Sequence, residues 1–174
     1  MNIIIHTDGS CSPNPGVGGW AAIIEYFWNK TKLEKETKMM CGGVQQTTNN
    51  RMELMAIIKA LQRVLFHEHH ELPIKVRTDS NYVKNGVTIF LHRWYKNGWK
   101  TRKGGDIKNQ DLWVELYKLA HRQFKNKIEW EWVKGHNGDP LNEQVDRLAK
   151  RAREGFVSED NLPVKKQQKI PCLE

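Results

Sequence analysis

The sequence predicts an α/β fold built on a mixed five-stranded sheet, three antiparallel strands followed by two in parallel crossover connection, flanked by helices. Three observations carry this. The first forty residues hold β-branched, apolar stretches broken by Gly/Pro clusters, without a helical period. Two amphipathic helical patterns follow, near 54–65 and 141–152. Short strand-like runs at 74–78 and 128–132 each stand between helical segments, so helical crossovers make them parallel to the first strand. At 174 residues the chain is one ordinary domain, or one domain with a tail.

The elements follow in order. Ile3–Asp8 is β-branched and closes on Asp8-Gly9, a turn signal. Residues 9–19, with Gly9, Pro13, Pro15, Gly16, Gly18 and Gly19, read as a loop. Trp20–Trp28 is the second strand and Lys32–Met40 the third, joined by a hairpin at Lys30–Lys32. Thr48, Asn49 and Asn50 offer N-cap chemistry before a helix whose buried stripe is Leu54, Ile57, Ile58, Leu61 and Leu65. Ile74–Thr78 is the fourth strand. Two short helices are expected over Ser80–Trp99, broken near Gly86, then a loop over Lys100–Lys108. Gln110–Phe124 is a helix with Trp113, Leu116, Tyr117, Ala120 and Phe124 on one side. Ile128, Trp130 and Trp132 alternate with Glu129, Glu131 and Val133 as a fifth strand, and both tryptophans are assigned to the core. Pro140 opens a last helix that buries Leu141, Val145, Leu148, Ala149 and Ala152. The domain is expected to span 1–154, with 155–174 a flexible C-terminal tail.

Composition narrows the function. Hydrophobic residues make up 39% and charged residues 28%, enough for a core. Lys and Arg outnumber Asp and Glu 28 to 20, a net charge of +8 that favours a polyanionic partner, nucleic acid first. No apolar run nears the ~20 residues of a membrane span, and no secretory signal opens the chain. Cys11, Cys41 and Cys172 form no CxxC pair and read as reduced thiols in a cytoplasmic protein.

Ligands on such sheets bind beyond the carboxyl ends of parallel strands. Asp8 and Asp79 end the first and fourth strands. If those strands are neighbours, the carboxylates lie about 4.8 Å apart. Acids so close raise each other's pKa unless a cation intervenes, and magnesium takes such oxygen ligands. Both acids serve equally as strand-end turn residues. Glu53 stands one turn into the first helix, where Asn50-x-x-Glu53 also reads as a capping box. Asp146 neighbours buried Val145, and a solvated helical acid is the plain alternative. His136 lies in a Gly-rich loop, where a histidine beside a metal site can shuttle protons.

Five blocks, in order, resemble type-one ribonuclease H: Thr7-Asp8-Gly9-Ser10 with Asn14-Pro15-Gly16; Thr48 to Leu54; Thr78-Asp79-Ser80 with Trp94 and Gly98-Trp99-Lys100; Trp130 to His136; and Asn142-Glu143 with Asp146. They span roughly residues 3 to 153. The resemblance implies a ribonuclease H-like fold and an endonuclease that cuts the RNA strand of RNA–DNA hybrids, largely without sequence preference. It implies two Mg2+ ions, with Mn2+ a substitute, held by Asp8, Glu53, Asp79 and Asp146. It implies His136 in proton transfer or product release, and products with 5′-phosphate and 3′-hydroxyl ends. The Gly9 backbone and the side chains of Asn14, Asn49, Asn50 and Asn81 are short polar groups suited to the minor groove, where the ribose 2′-hydroxyl distinguishes RNA, and the resemblance has Asn14, Asn49 and Asn50 bridging the two strands there. Thr48 and Asn109 match positions that grip a DNA-strand phosphate. His92–Lys108 holds six Lys/Arg and one Asp, and becomes a basic protrusion using Trp94, Lys96, Trp99 and Lys100. Without the resemblance these asparagines are turn and cap residues, and the basic segment a solvated loop.

The sequence also departs from that pattern. Phe90 stands where a DNA-facing tryptophan is usual, and Tyr95 where a basic residue is common, with Arg102 a partial compensation. Processivity from a separate hybrid-binding module ahead of Asp8 is not expected. Cys11 lies near the proposed site. A monomer without membrane attachment or an obligate protein partner is expected. A non-catalytic hybrid clamp and a different nuclease of the same superfamily are the competing readings. The four acids weigh against the first, and the Asn-Asn-Arg-Met-Glu block against the second.

Overall fold

The computed structural model describes residues 1–29, 35–125, 127–135 and 138–157. The strands are β1 (Asn2–Cys11), β2 (Gly16–Phe27), β3 (Glu36–Thr47), β4 (Ile74–Thr78) and β5 (Ile128–Trp132). They form one sheet in the order β3-β2-β1-β4-β5. The first three pair antiparallel, while β4 pairs parallel with both β1 and β5. The mixed five-stranded sheet read from the sequence is therefore the observed one.

Helix α1 (Asn49–Leu65) covers one face. Leu54, Ile57, Ile58, Leu61 and Val64 pack there on Ile3, Ile5, Ile24 and Tyr26. Each such side chain removed from water contributes about 2 kcal/mol. Helix α5 (Pro140–Val157) lies on the other face, where Val145 and Ala149 meet Ala21 and Ile23. Strand β2 is thus buried from both sides, which explains its nearly continuous apolar sequence. Helices α2 (Asn81–Asn85) and α3 (Leu91–Lys96) are joined by a π-helical segment, Gly86–Phe90, so the expected break at Gly86 is a change of pitch. Helix α4 (Gln110–Tyr117) likewise loosens into a π-helical segment, Lys118–Gln123. Among the described residues no helix is long and apolar enough to cross a membrane.

Several boundaries move. Residues 9–11 and 16–19, read as loop, are ladder positions: Gly9 faces Trp20, Ser10 faces Gly19 and Cys11 faces Gly18. Strand β3 runs on to Thr47, with Gly42 opposite Trp20 and Gly43 opposite Gly19. The hairpin at Lys30–Lys32 lies outside the described residues. Trp130 packs on the core as expected, but Trp132 does not: it is 41% exposed. It pairs with Thr78 at the last rung of the sheet, where the Lys84 ammonium of the helix that follows β4 stands over its ring, 5.0 Å from the centroid.

Gly19 sets the spacing of α5. A Cβ there would lie 2.3 Å from the Ala149 carbonyl oxygen and 2.4 Å from the Arg153 amide nitrogen. Backbone cannot yield as a flexible side chain does. Gly19→Ala is therefore expected to push α5 outward and lower the unfolding free energy by roughly 1–3 kcal/mol, read from urea denaturation midpoints.

Candidate active site

Strands β1 and β4 are neighbours, with Ile5 opposite Val76 and His6 opposite Arg77. Continuing that register sets Asp8 beside Asp79. Asp8 pairs with Ala21 across β2, so its side chain takes the α5 face of the sheet. Gly9 takes the α1 face. A Cβ on Gly9 would stand 2.4 Å from the Glu53 amide nitrogen. Its absence lets the first turns of α1 rest on the β1 backbone. Strand β4 ends at Thr78, and there the Glu53 carboxylate comes together with those of Asp8 and Asp79.

Asp8, Glu53 and Asp79 each offer a carboxylate oxygen, and these oxygens lie within 4.8 Å of one another. Asp8 and Glu53 are buried. The Gly9 amide donates to Asp8 Oδ1 at 2.8 Å. Burial first, then the Asp79 and Asp146 charges, push Asp8 from the ordinary 3.8 up to about 7. Burial, then the charges of Asp8 and Asp79, push Glu53 well above the carboxylate range. Glu53 Oε2 is buried without a hydrogen-bond partner. Hard oxygen donors, mutual repulsion and an orphaned buried oxygen together fit a divalent cation. Glu53 is not closing a capping box: the N-cap of α1 is Thr48, whose hydroxyl accepts from the Arg51 amide at 3.3 Å.

Asp146 is close enough to raise Asp8 but lies outside that cluster of three. Its Oδ2 accepts from Lys150 Nζ at 2.7 Å. His136 lies outside the described residues. The loop leading to it does approach the site, since a Cβ on Gly135 would be 2.9 Å from Asp79 Oδ2.

The remaining predicted residues form two groups. Asn14 Oδ1 accepts from the Asn49 amide at 3.1 Å, which draws the β1–β2 turn to the start of α1 beside half-buried Asn50. Asn81 is the exposed first residue of α2. Asn109, at φ 58°, caps α4. Its amide donates to the Tyr82 hydroxyl at 3.0 Å, and its Oδ1 accepts from Arg51. Arg51 in turn grips Asp111 through both terminal nitrogens, at 2.8 and 2.6 Å. The second group is a groove of about 560 Å³ lined by Phe90, Arg93, Trp94, Lys96, Lys100 and Arg102, among others. Phe90 and Trp94 stack at 5.5 Å. Trp99 is half-buried against the core, and Lys100 pairs with Asp106.

Sequence reasoning missed Tyr82 and Trp132. Tyr82 also accepts from the Trp113 indole at 2.9 Å, and nothing local marks it as a hub. Trp132 donates its indole N–H to the Asp79 carbonyl at 3.1 Å. Its place one strand over from Asp79 at the carboxyl edge was the available signal.

The chain matches the family model described as RNase H over residues 1–154. It is 48% identical over 149 residues to the ribonuclease H of Xanthomonas campestris pv. campestris (strain 8004), covering 86% of this chain and 90% of that one. Its fold resembles that of LC9-RNase H1, a type 1 RNase H with the type 2 active-site motif. The TM-score is 0.75 at 32% identity, over 88% of this chain and 72% of that one. It also resembles LC11-RNase H1 solved in complex with an RNA/DNA hybrid, with a TM-score of 0.63 at 19% identity, over 90% and 100% of the chains; at that identity the likeness is one of fold.

The raised acids have a stability consequence. Between 3.8 and about 7 the folded metal-free protein keeps a proton on Asp8 that the unfolded chain releases. Stability is therefore lost as pH rises through that window. Asp8→Asn removes the cost. In chelator the variant is expected to exceed the parent by roughly 1–3 kcal/mol at pH 8 and to match it near pH 4, as measured by urea unfolding.

Proposed function

Because the chain belongs to the ribonuclease H family, it is an endonuclease that hydrolyses the RNA strand of RNA–DNA hybrids, and we propose that Asp8, Glu53, Asp79 and Asp146 do this with two Mg2+ ions, Mn2+ substituting. The convergence of three carboxylate oxygens within 4.8 Å at the sheet's carboxyl edge is the observation that carries this reading. When bound, the two cations supply an activated water and neutralise charge on the leaving oxygen, which gives 5′-phosphate and 3′-hydroxyl ends.

The chain's own residues do the rest. Asp8 and Glu53 give up their protons to hold cations. The electrostatic cost of burying them together sets the site against remaining empty. Asn14, Asn49, Asn50 and Asn81, with the Gly9 backbone, meet the minor groove and its 2′-hydroxyls. Thr48 and Asn109 hold a DNA-strand phosphate. They are preorganised through Arg51, which donates its amide to Thr48 and its guanidinium to Asn109. Phe90, Trp94 and Trp99 present apolar faces to the DNA strand, while Lys96 and Lys100 meet its phosphates. These groups read backbone and not bases, so cutting is largely independent of sequence. His136, one residue past Gly135, assists proton transfer or product release. The enzyme acts as a cytoplasmic monomer whose catalytic domain is 1–154; α5 carries the chain on to Val157, and the rest of the expected tail, 158–174, lies outside the described residues.

The test sets a labelled RNA–DNA duplex beside matched RNA–RNA and DNA–DNA duplexes, with Mg2+ and with chelator. Only the RNA of the hybrid is expected to be cut, and only with metal. Binding without cutting would make the protein a clamp. Asp8→Asn should lower kcat by roughly 10² or more while hybrid affinity persists; retained turnover would remove Asp8 from the chemistry. Replacing Lys96 and Lys100 by Ala should reduce the log–log salt slope of binding by about one for each phosphate left without its lysine.

A further inference from the structure

Asp146 presents a mechanical problem. It rides on α5, while the three clustered acids come from β1, α1 and the end of β4. The second half of α5 is firmly seated. Gly19 lets its backbone touch β2, and Arg153 Nη1 donates to Ser10 Oγ at 2.7 Å. The first half is seated by Leu141 and Leu148 packed beside Val145, by buried Asn142 and by Gln144 Nε2, 3.6 Å from Met39 Sδ. Val145 packs on the sheet, and ahead of it stands Asp139. Asp139 Oδ1 caps the helix, accepting from the amides of Leu141 at 3.0 Å and Asn142 at 3.2 Å. Its other oxygen, Oδ2, accepts from Arg77 Nη1 at 2.8 Å.

Arg77 is well placed for this. It lies on β4 two residues before Asp79, on the same face, and its register partner on β1 is His6, two residues before Asp8. Its Nε faces Glu131 of β5 at 3.2 Å. The guanidinium therefore grows from the same two-strand platform that carries Asp8 and Asp79. The helix cap is tied to that platform by a single ion pair. Asp139 precedes Asp146 by seven residues, about 10 Å along the axis. A helix held at Arg153 and at Asp139 is set at both ends, with Asp146 between them.

We propose that the Arg77–Asp139 ion pair is a positioning device that sets the first two turns of α5, and with them Asp146, in register with the Asp8–Glu53–Asp79 cluster. The proposal rests on Asp146 being the fourth metal ligand. The plain alternative is a half-buried ion pair that contributes little to folding and nothing to the site.

Asp139→Asn separates the two, because asparagine caps a helix as well as aspartate does but gives up the ionic bond to Arg77. Mn2+ would be titrated calorimetrically into the metal-free enzyme, and the Mg2+ requirement for hybrid cleavage measured alongside. Arg77→Gln and Asp139→Asn are each expected to raise the half-saturating metal concentration about tenfold in both assays, with hybrid affinity in chelator unchanged and Arg77→Lys restoring most of the loss. In an Asp146→Asn background, Arg77→Gln should add nothing further. Unshifted metal affinity, or an equal shift with and without Asp146, would overturn the proposal. A wild type that binds metal but cuts no hybrid would sink the nuclease reading, while calorimetry still judges the ion pair.

Discussion

Bringing the carboxylate of Glu53 against that of Asp8 in a dry corner of the molecule is the constraint around which the structure is arranged. Two buried acids repel each other and each resists losing its proton, as their raised pKa values record. The opposing force is hydrophobic. Helix α1 buries nine residues, Glu53 among them, and the Leu and Ile of that stripe contribute about 2 kcal/mol apiece. The helix can dock closely enough only because residue 9 has no side chain. A core assembled on one face of the sheet thus holds together a charge cluster at its rim that would not assemble alone, and that cluster is complementary to a divalent cation.

The surroundings divide by rigidity. The acids stand on strand ends and on a long helix, elements the core fixes. The polar residues proposed to meet the duplex are fixed by hydrogen bonds instead. Tyr82 gathers Asn109 and Trp113, Arg51 joins Asn109 to Asp111, and Asn14 joins Asn49. The basic groove beyond α2 is shaped by aromatic packing, with Phe90 on Trp94 and Tyr95 on Tyr117 at 4.2 Å. Its lysines remain exposed, as suits groups that bind a polyanion by charge and not by shape.

Sheet order and strand direction were legible because apolar period and crossover geometry are properties of contiguous sequence. That is why Ile74–Thr78 and the start of α1 stand where expected. Glycines misled the reading. Gly18, Gly19, Gly42 and Gly43 look like breaks in a string of letters, yet they are ladder positions, and at Gly19 the missing side chain admits a helix. Trp132 misled it in the opposite sense. Its alternation with Glu131 is genuine, but being on the inward side of a strand does not guarantee cover at the last rung. The resemblance made the four acids legible. Local sequence alone left Glu53 indistinguishable from a capping residue, because what removes it from that role is the position of Thr48 and the docking at Gly9, both facts of tertiary structure.

The acids are also graded. Glu53 and Asp8 are nearly inaccessible, at 4% and 6%, whereas the Asp146 side chain keeps 22% and pairs with Lys150, itself 45% exposed. An ion pair so open to solvent contributes little, so a divalent cation can displace Lys150 from Asp146 at small cost. The desolvation penalty falls on Asp8 and Glu53, and the acid with least to lose sits on α5, the helix capped by Asp139. In the proposed metal site three carboxylates are set by β1, β4 and α1, and the fourth by how α5 is held. Within the proposed site, metal affinity becomes sensitive to residues such as Arg77 that never touch the metal, because the position of a helix end decides whether the last carboxylate is in reach.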